Sequence, residues 1–563
     1  MPLSSPAFFI DGWDFAETVF RWNRDGKLVI SDFPSMTLIT HLWWGKLWTT
    51  LLGESPMALR VSSLVSATIF AIVLGILCNG VKLSKTVTLI VLAVLMFNPM
   101  LLQFSLTFMT DVSGCTISLL LAVCLAGYAR MLATPRTPVS SLIGLQLLCT
   151  LVTVAAYLLR QTAVVPFVAF VILCIGSSNH RLRRLGALPI VLGIVVPIAI
   201  YWYWIYHFNG LPLGFQKPFL DLDLLSDFKI MIVKSARIAL TLAFHSWPLA
   251  VPMFFYRSNL RWRIGVVLAT AIAVILLFNV PQLAGVRLYF GYVSFDGNLG
   301  YLTEIDGLKD QLVYSSIDLG QLGSIQWQSI RLLLSVFAIV TFIATVLANL
   351  RQLYTQLHLW WRSDRVPSVY SICLLSFVGQ VTLLLLLSNI FDRYFLPAFT
   401  MAMVCAIPVM KYLQNADISS IQPSRHISNR VLWRLASVTC VAVASVISIG
   451  ETSDWLYVWR NCWILADSLQ AAGVDPREID LGMSYYGFHV YRPQLHKLID
   501  SGSRRLDQLD EQTRKSLLEY PPNARYSFCT LVYLNGSGEK LKVLHDITLR
   551  GFFNDFELVL VQR

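Results

Sequence analysis

The sequence predicts an α-helical polytopic membrane protein with a small α/β domain after its last span, and three observations predict it. First, mean hydropathy is +0.62. Of the 563 residues, 56% are hydrophobic and only 14% are charged, where a soluble domain carries roughly 25% charged residues. Such a chain has too few polar groups to cover a water-facing surface and too many apolar ones for disorder. Second, apolar runs of about 17–23 residues, long enough to cross a bilayer, recur about twelve times. Third, Lys and Arg gather in alternate loops between those runs.

The runs start near Ala58, Thr86, Ser113, Ser141, Thr162, Gly186, Ala236, Trp262, Ser329, Ser368, Tyr394 and Val431, and the last ends near Gly450. The halves show no repeat. One set of loops holds Lys82 and Lys85; Arg130 and Arg136; Arg181, Arg183 and Arg184; Arg257, Arg261 and Arg263; Arg351, Arg362 and Arg365; and Lys411, Arg425 and Arg430. The positive-inside rule makes these six loops cytoplasmic. The opposite loops carry acids instead: Asp111; Asp221, Asp223 and Asp227; Asp296, Glu304, Asp306, Asp310 and Asp318. This distribution accounts for the net charge of +11 without a nucleic-acid partner. The ten cysteines form no CxxC pair and no zinc-spaced Cys/His run, and most lie in apolar stretches as small hydrophobes.

Three regions follow. Residues 1–57 form a first extracytoplasmic loop with an acidic motif, residues 58–450 a transmembrane domain, and residues 451–563 an extracytoplasmic α/β domain. The tail mixes helix-like stretches (Trp463 to Ala472) with strand-like ones (Tyr526 to Tyr533, Phe556 to Val561). The chain is expected to sit in the plasma (inner) membrane if bacterial. An outside first loop needs a preceding span or signal, so an N-terminal span is expected to be missing from this sequence. Leu38 to Leu52 sets Trp43, Trp44, Lys46 and Trp48 among Leu and Thr, the composition of a helix lying in the headgroup plane. The run Tyr201 to Tyr206 ends a span as an aromatic belt or as a stacking surface for sugar.

No Walker A loop, GxGxxG, HExxH or GxSxG occurs. What remains is a set of acids and arginines at the outer ends of spans: Asp11-Gly12-Trp13-Asp14-Phe15-Ala16-Glu17, Thr110-Asp111, Arg160-Gln161 and Asp392-Arg393-Tyr394. Each has a plainer reading. Asp14 with Glu17 fits a capping box, and Asp111 or Thr110 fits a helix cap. Arg160 and Arg393 fit snorkelling anchors, although they lie on the side where basic residues are rare. His41 fits the polar face of the interfacial helix. Asp11 has no such duty and is preferred as the functional acid.

The order of these motifs resembles a known group. An acidic loop and an interfacial helix lead to Leu52-Gly53-Glu54-Ser55-Pro56-Met57-Ala58-Leu59-Arg60 and a span. An Asp follows at the second outer mouth, and Arg393-Tyr394-Phe395-Leu396-Pro397 enters a late span. From about Asp11 to Leu413 the chain is similar to C-type (GT-C) membrane glycosyltransferases. Within them it is most similar to the branch of protein O-mannosyltransferases and lipid A aminoarabinose transferases (family 39-like). The family's loop carries Asp-Glu where this chain has Asp11-Gly12. The aminoarabinose branch carries Lys-Pro-Pro before the interfacial helix where this chain has Met36-Thr37-Leu38.

The resemblance implies an inverting, metal-free and cofactor-free glycosyl transfer outside the cytoplasm. The donor would be a sugar on a polyprenyl phosphate, and the acceptor a protein, lipid or glycan. It places Asp11 at the catalytic base, with Asp14 as fallback and Asp111 as second acid. Arg393, then Arg160, would hold the donor phosphate, and Tyr394, His41 and Trp13 would contact sugar or acceptor. The alternatives are a transporter or flippase, a scaffold, or a lipid-linked glycan polymerase or ligase without an Asp base.

Overall fold

A computed structural model describes residues 12–31, 34, 36–210, 212, 235, 238–239, 241–243, 245–250, 254, 260–279, 333–334, 336–344, 366–386, 394–416, 423–480, 483–500, 526–530, 542–550 and 555–562. The protein is an integral membrane protein built mainly of helices. Among the described residues six helices are long and apolar enough to span a bilayer: Pro56–Gly80, Thr110–Ala133, Val139–Leu159, His180–Asn209, Val369–Leu386 and Leu435–Ala471. Gln161–Gly176 and Phe395–Pro408 are apolar but shorter. The runs expected near Ala236 and Ser329 are described only in part, as helical residues at 238–239, 241–243 and 245–250 and at 333–334 and 336–344.

The chain opens with α1 (Gly12–Asp25), which turns Trp13, Phe15, Ala16 and Val19 inward. Helix α2 (Ile39–Leu52) buries His41, Leu42, Gly45 and Thr49. These positions recur about every helical turn, so they share one face. Trp43, Leu51 and Leu52 are exposed, as a helix lying at a membrane surface requires. Its inner face is tied down at both flanks. The Trp44 indole donates to the Ser62 carbonyl at 3.0 Å, and the Thr40 hydroxyl donates to the Ala155 carbonyl at 2.9 Å. Gly53 ends the helix at φ 88°, a conformation that favours glycine.

Ser55 caps α3 (Pro56–Gly80), accepting from the Ala58 N–H at 3.2 Å, and Pro56 stands where its missing N–H has no partner to lose. Ser84 caps α4 (Lys85–Met96) in the same way. Helix α4 stops at Phe97 because Asn98 caps a new helix that starts at Pro99. Proline cannot extend the old helix, since its ring clashes with the preceding turn. The resulting α5 (Pro99–Ser105) is bent 66° from α4 and delivers the chain to α6 (Thr110–Ala133). Hydroxyls stitch α6 into the bundle. Thr116 donates to the Ser66 carbonyl at 2.9 Å, and Ser118 donates to the Ala163 carbonyl at 3.1 Å. Helix α7 (Val139–Leu159) returns to the end where α6 began.

Contacts between distant segments sort onto two ends of the bundle. At one end the Lys411 ammonium reaches the Lys82 carbonyl at 2.7 Å, and the Tyr128 hydroxyl meets the Leu185 carbonyl at 3.3 Å. At the other, Asn209 exchanges hydrogen bonds with the Ile30 backbone at 2.8 and 3.1 Å. There too Gln380 donates to the Thr162 carbonyl at 3.0 Å, and Ser448 donates to the Phe97 carbonyl at 2.6 Å. Among the described residues Lys82 and Lys411 share the first end and Asp111 with Arg160 the second; the acidic loops at 221–227 and 296–318 lie outside the described residues.

The sequence puts the end of the last span near Gly450, but the helix there runs unbroken over Pro423–Ala471. The stretch from Trp463, expected as a separate tail helix, is its final part. After it, β1 (Ile479–Asp480), a short helix (Met483–Tyr486), a wide π turn (Gly487–Tyr491) and a helix over Arg492–Asp500 follow. A mixed sheet of order β1-β2-β4-β3 closes the chain, with β2 at Tyr526–Thr530, β3 at Lys542–Arg550 and β4 at Asp555–Gln562. β1 pairs parallel with β2, and β4 pairs antiparallel with both β2 and β3.

Gly45 is the tightest point of the α2 seat, because a Cβ there would run into the Phe108 ring and lie 3.1 Å from Leu59. Gly45→Val should lower stability by about 1–3 kcal/mol, the usual cost of overpacking, read as the thermal midpoint of the detergent-solubilised protein. An unchanged midpoint would mean that α2 is not seated on Phe108.

Candidate functional site

The site begins where α6 starts. Met109 caps that helix without a side-chain bond, so neither Thr110 nor Asp111 serves as the cap that the plainer reading assigned. Thr110 instead turns its hydroxyl to the Met36 sulfur at 3.3 Å. Asp111 is buried, and its Oδ1 accepts from Arg160 Nη1 at 2.7 Å. Its Oδ2 is buried with no hydrogen-bond partner among the described residues. Buried carboxylate oxygens are nearly always satisfied, so this one marks a place for a polar group. Arg160 stands at the end of α7 in extended backbone. Its guanidinium carbon lies 5.0 Å from the centre of the Tyr394 ring, within cation–π range. A single nitrogen of Arg160 goes to Asp111, so the pair is not the two-pronged clamp a guanidinium can form.

Helix α2 roofs this pair. His41, expected on a polar face, points inward. Its ring stacks on Phe108 at 4.2 Å and meets Phe15 edge-on at 5.8 Å. Neither ring nitrogen has a hydrogen-bond partner among the described residues. Burial pushes the imidazole down from 6.5 to about 4, opposed by the Phe108 backbone and the charge of Asp111. His41 is therefore neutral at neutral pH, so one ring nitrogen carries a proton, which the Phe108 backbone favours, and the other is an acceptor.

Asp11 and Arg393, the expected base and phosphate ligand, lie outside the described residues. Their neighbours do not. Gly12 sits so close to α6 that a Cβ would stand 3.3 Å from the Phe108 carbonyl oxygen. Tyr394 stands over Arg160. The flanks of all four acid and arginine motifs thus come together at the start of α6.

Asp14 has a different post. It is the third residue of α1, not its cap, and the Glu17 carboxylate accepts from Arg24 at 3.2 Å; no capping box joins them. The Ser31 hydroxyl donates to Asp14 Oδ2 at 2.8 Å, and Arg492 Nε lies 3.4 Å from Oδ1. Burial raises the Glu17 carboxyl, and the charges of Arg492, Arg24 and Arg21 oppose that rise. Trp13, expected against a sugar, is 2% exposed and meets Tyr491 edge-on at 6.0 Å. Sequence reasoning missed Arg492 and Phe108. The signal for Arg492 was the aromatic run Tyr485-Tyr486-Gly487-Phe488-His489-Val490-Tyr491, an apolar patch inside an otherwise polar tail. Among the described residues no cluster of three or more His, Cys, Asp or Glu is present.

No family model matches the chain, and no curated protein matches it. Among solved structures it is similar to two crystal structures of ArnT from Cupriavidus metallidurans. The apo form is 12% identical with a TM-score of 0.37, covering 99% of this chain and 94% of that one. The form bound to undecaprenyl phosphate is 11% identical with a TM-score of 0.42, covering 99% and 95%. At those scores the likeness fixes neither fold nor activity.

Breaking a buried ion pair from one side leaves a bare charge and costs about 3–5 kcal/mol. Asp111→Ala and Arg160→Met should each lose about that much in equilibrium unfolding, and the double variant should lose less than the sum. Simple additivity would show that the two side chains do not act together. The His41 imidazole, with its pKa lowered in the folded state, is protonated first in the unfolded chain. Its contribution to stability is therefore complete above 6.5 and lost as pH falls towards about 4. His41→Phe should flatten that part of the stability–pH curve; an unchanged slope would remove His41 as its source.

Proposed function

We propose that this protein is a glycosyltransferase that moves a sugar from a polyprenyl phosphate to a protein, lipid or glycan acceptor at the non-cytoplasmic face of the membrane. The observation that carries the reading is the meeting of Gly12, Asp111, Arg160 and Tyr394 at one end of the bundle, in the order the resemblance implies. Positive-inside loops put that end outside the cytoplasm, where no nucleotide is at hand and a sugar already activated on lipid is the natural donor.

In this proposal Asp11 is the general base. It takes the proton of the acceptor hydroxyl or amine as the nucleophile attacks the anomeric carbon. The carbon–oxygen bond to phosphate breaks, and the polyprenyl phosphate leaves with the electron pair, so the configuration inverts. Arg393 is the first candidate to meet the phosphate charge. Arg160 is partly neutralised by Asp111 and is better placed to fix that carboxylate. Asp111 then offers its unengaged oxygen, and His41 a neutral nitrogen, to an acceptor hydroxyl. No metal enters the scheme.

The transport reading expects ionisable groups along a mid-membrane path. Asp111 and Arg160 instead stand at helix ends, which favours a reaction at the mouth. Asp11→Asn should abolish transfer while the protein keeps its thermal midpoint. The readout is mass spectrometry of surface glycans and glycoproteins from cells with, without and with mutant gene. Full product in the mutant would remove Asp11 from the role, and an identical glycan profile after deletion would sink glycosyl transfer itself.

A further inference from the structure

The tail does more than follow the last helix: its π turn grips the first helix of the chain. Arg492 is 1% exposed. Its Nη2 donates to the Thr18 hydroxyl oxygen at 2.5 Å, and its Nε lies 3.4 Å from Asp14 Oδ1. The Thr18 hydroxyl in turn donates to the Asp14 carbonyl at 2.8 Å. One helical turn earlier, the Trp13 ring lies so close to Gly487 that any Cβ there would overlap it. Tyr491 closes on the same ring edge-on. At the first residue of α1, Gly12 lies against the Phe108 carbonyl, three residues before Asp111. The first two turns of α1 are therefore held between the tail and the mouth of α6.

A buried guanidinium is a costly way to stabilise a contact. Its desolvation can outweigh its attraction, and apolar residues of similar size often do as well or better. Arg492 Nη1 also has no hydrogen-bond partner among the described residues. What the guanidinium does supply is direction: one hydrogen bond to Thr18 and one ion-pair contact with Asp14 fix rotation and register of α1, which apolar packing alone leaves looser. We propose that Arg492 and Gly487 are positioning residues, clamping the Gly12 end of α1 against the Asp111 mouth. This rests on the transfer reading above for its catalytic consequence, though not for the clamp itself. A small displacement of an aligned group costs an enzyme about a hundredfold in rate, so a loosened α1 should slow transfer while leaving the lipid site intact.

The test uses the full-length protein as wild type, Arg492→Met, Gly487→Ala and the double variant Asp14→Asn/Arg492→Met. Hydrogen exchange is compared in peptides covering 12–25, 39–52 and 110–133. The expected result is exchange faster by about tenfold or more in 12–25 alone. Cellular product falls by at least about tenfold, and affinity for undecaprenyl phosphate, used as the probe, is unchanged. Arg492→Met leaves Asp14 buried without the Arg492 charge and can destabilise the whole fold, so Gly487→Ala, which keeps the charges and pushes the Trp13 ring off the π turn, is the independent arm. The double variant removes both charges. It should regain thermal stability while residues 12–25 still exchange fast and product stays low, which a merely structural bond would not do. Unchanged exchange in both Gly487→Ala and the double variant overturns the clamp, whatever the activity. Fast local exchange with wild-type product overturns the positioning role. If the wild type itself makes no product, the transfer reading fails, and the exchange arm still decides the clamp.

Discussion

A carboxylate and a guanidinium buried inside a helix bundle have few partners other than each other, and the Asp111–Arg160 pair is built on that constraint. Water is scarce at the end of a tightly packed bundle, so each charge is tolerable only beside its opposite. The pair in turn fixes the start of α6 to the end of α7. Tyr394 covers the guanidinium, Phe108 carries the roof of α2, and Gly12 rests on the Phe108 carbonyl. Removing the pair would leave these contacts without a common floor. One carboxylate oxygen of the pair is left without a hydrogen-bond partner among the described residues.

The second organising contact joins the two ends of the chain. Arg492 and Thr18 are 474 positions apart, yet their side chains share one buried bond. The acid nearest to it, Asp14, lies 3.4 Å from the Arg492 Nε and accepts from the Ser31 hydroxyl, so it ties the tail, the first helix and the following loop together.

The helices were legible in the sequence because hydrophobic length and basic loops report directly on membrane crossing. The break at Asn98-Pro99 was less so. The run from Thr86 reads as one span, and the kink follows from a cap and a proline that a hydropathy pattern does not weigh. Sidedness gathered Asp111, Arg160 and Tyr394 on one face. It said nothing of which acid would pair with which base, since that depends on helix rotation about the axis. His41 was misjudged for the same reason: its neighbours on α2 look interfacial, but its own direction is set by Gly45, which lets the helix sink onto Phe108. The partnership of Asp14 with Arg492 was hidden altogether, because no local pattern connects a turn in the tail to the first helix.

The final long helix has a mechanical meaning of its own. Its 49 residues make a rod of roughly 74 Å at the usual rise per residue, more than twice the roughly 30 Å of hydrocarbon it must cross. Beyond the bilayer it is a stiff strut rather than a hinge, and it is seated: Leu456, Val458, Cys462, Trp463 and Ala466 are buried in the main core, and Trp463 meets Tyr485 edge-on at 5.2 Å. A tilt of the embedded part therefore cannot be absorbed by a joint and is passed straight to the elements packed on its outer half.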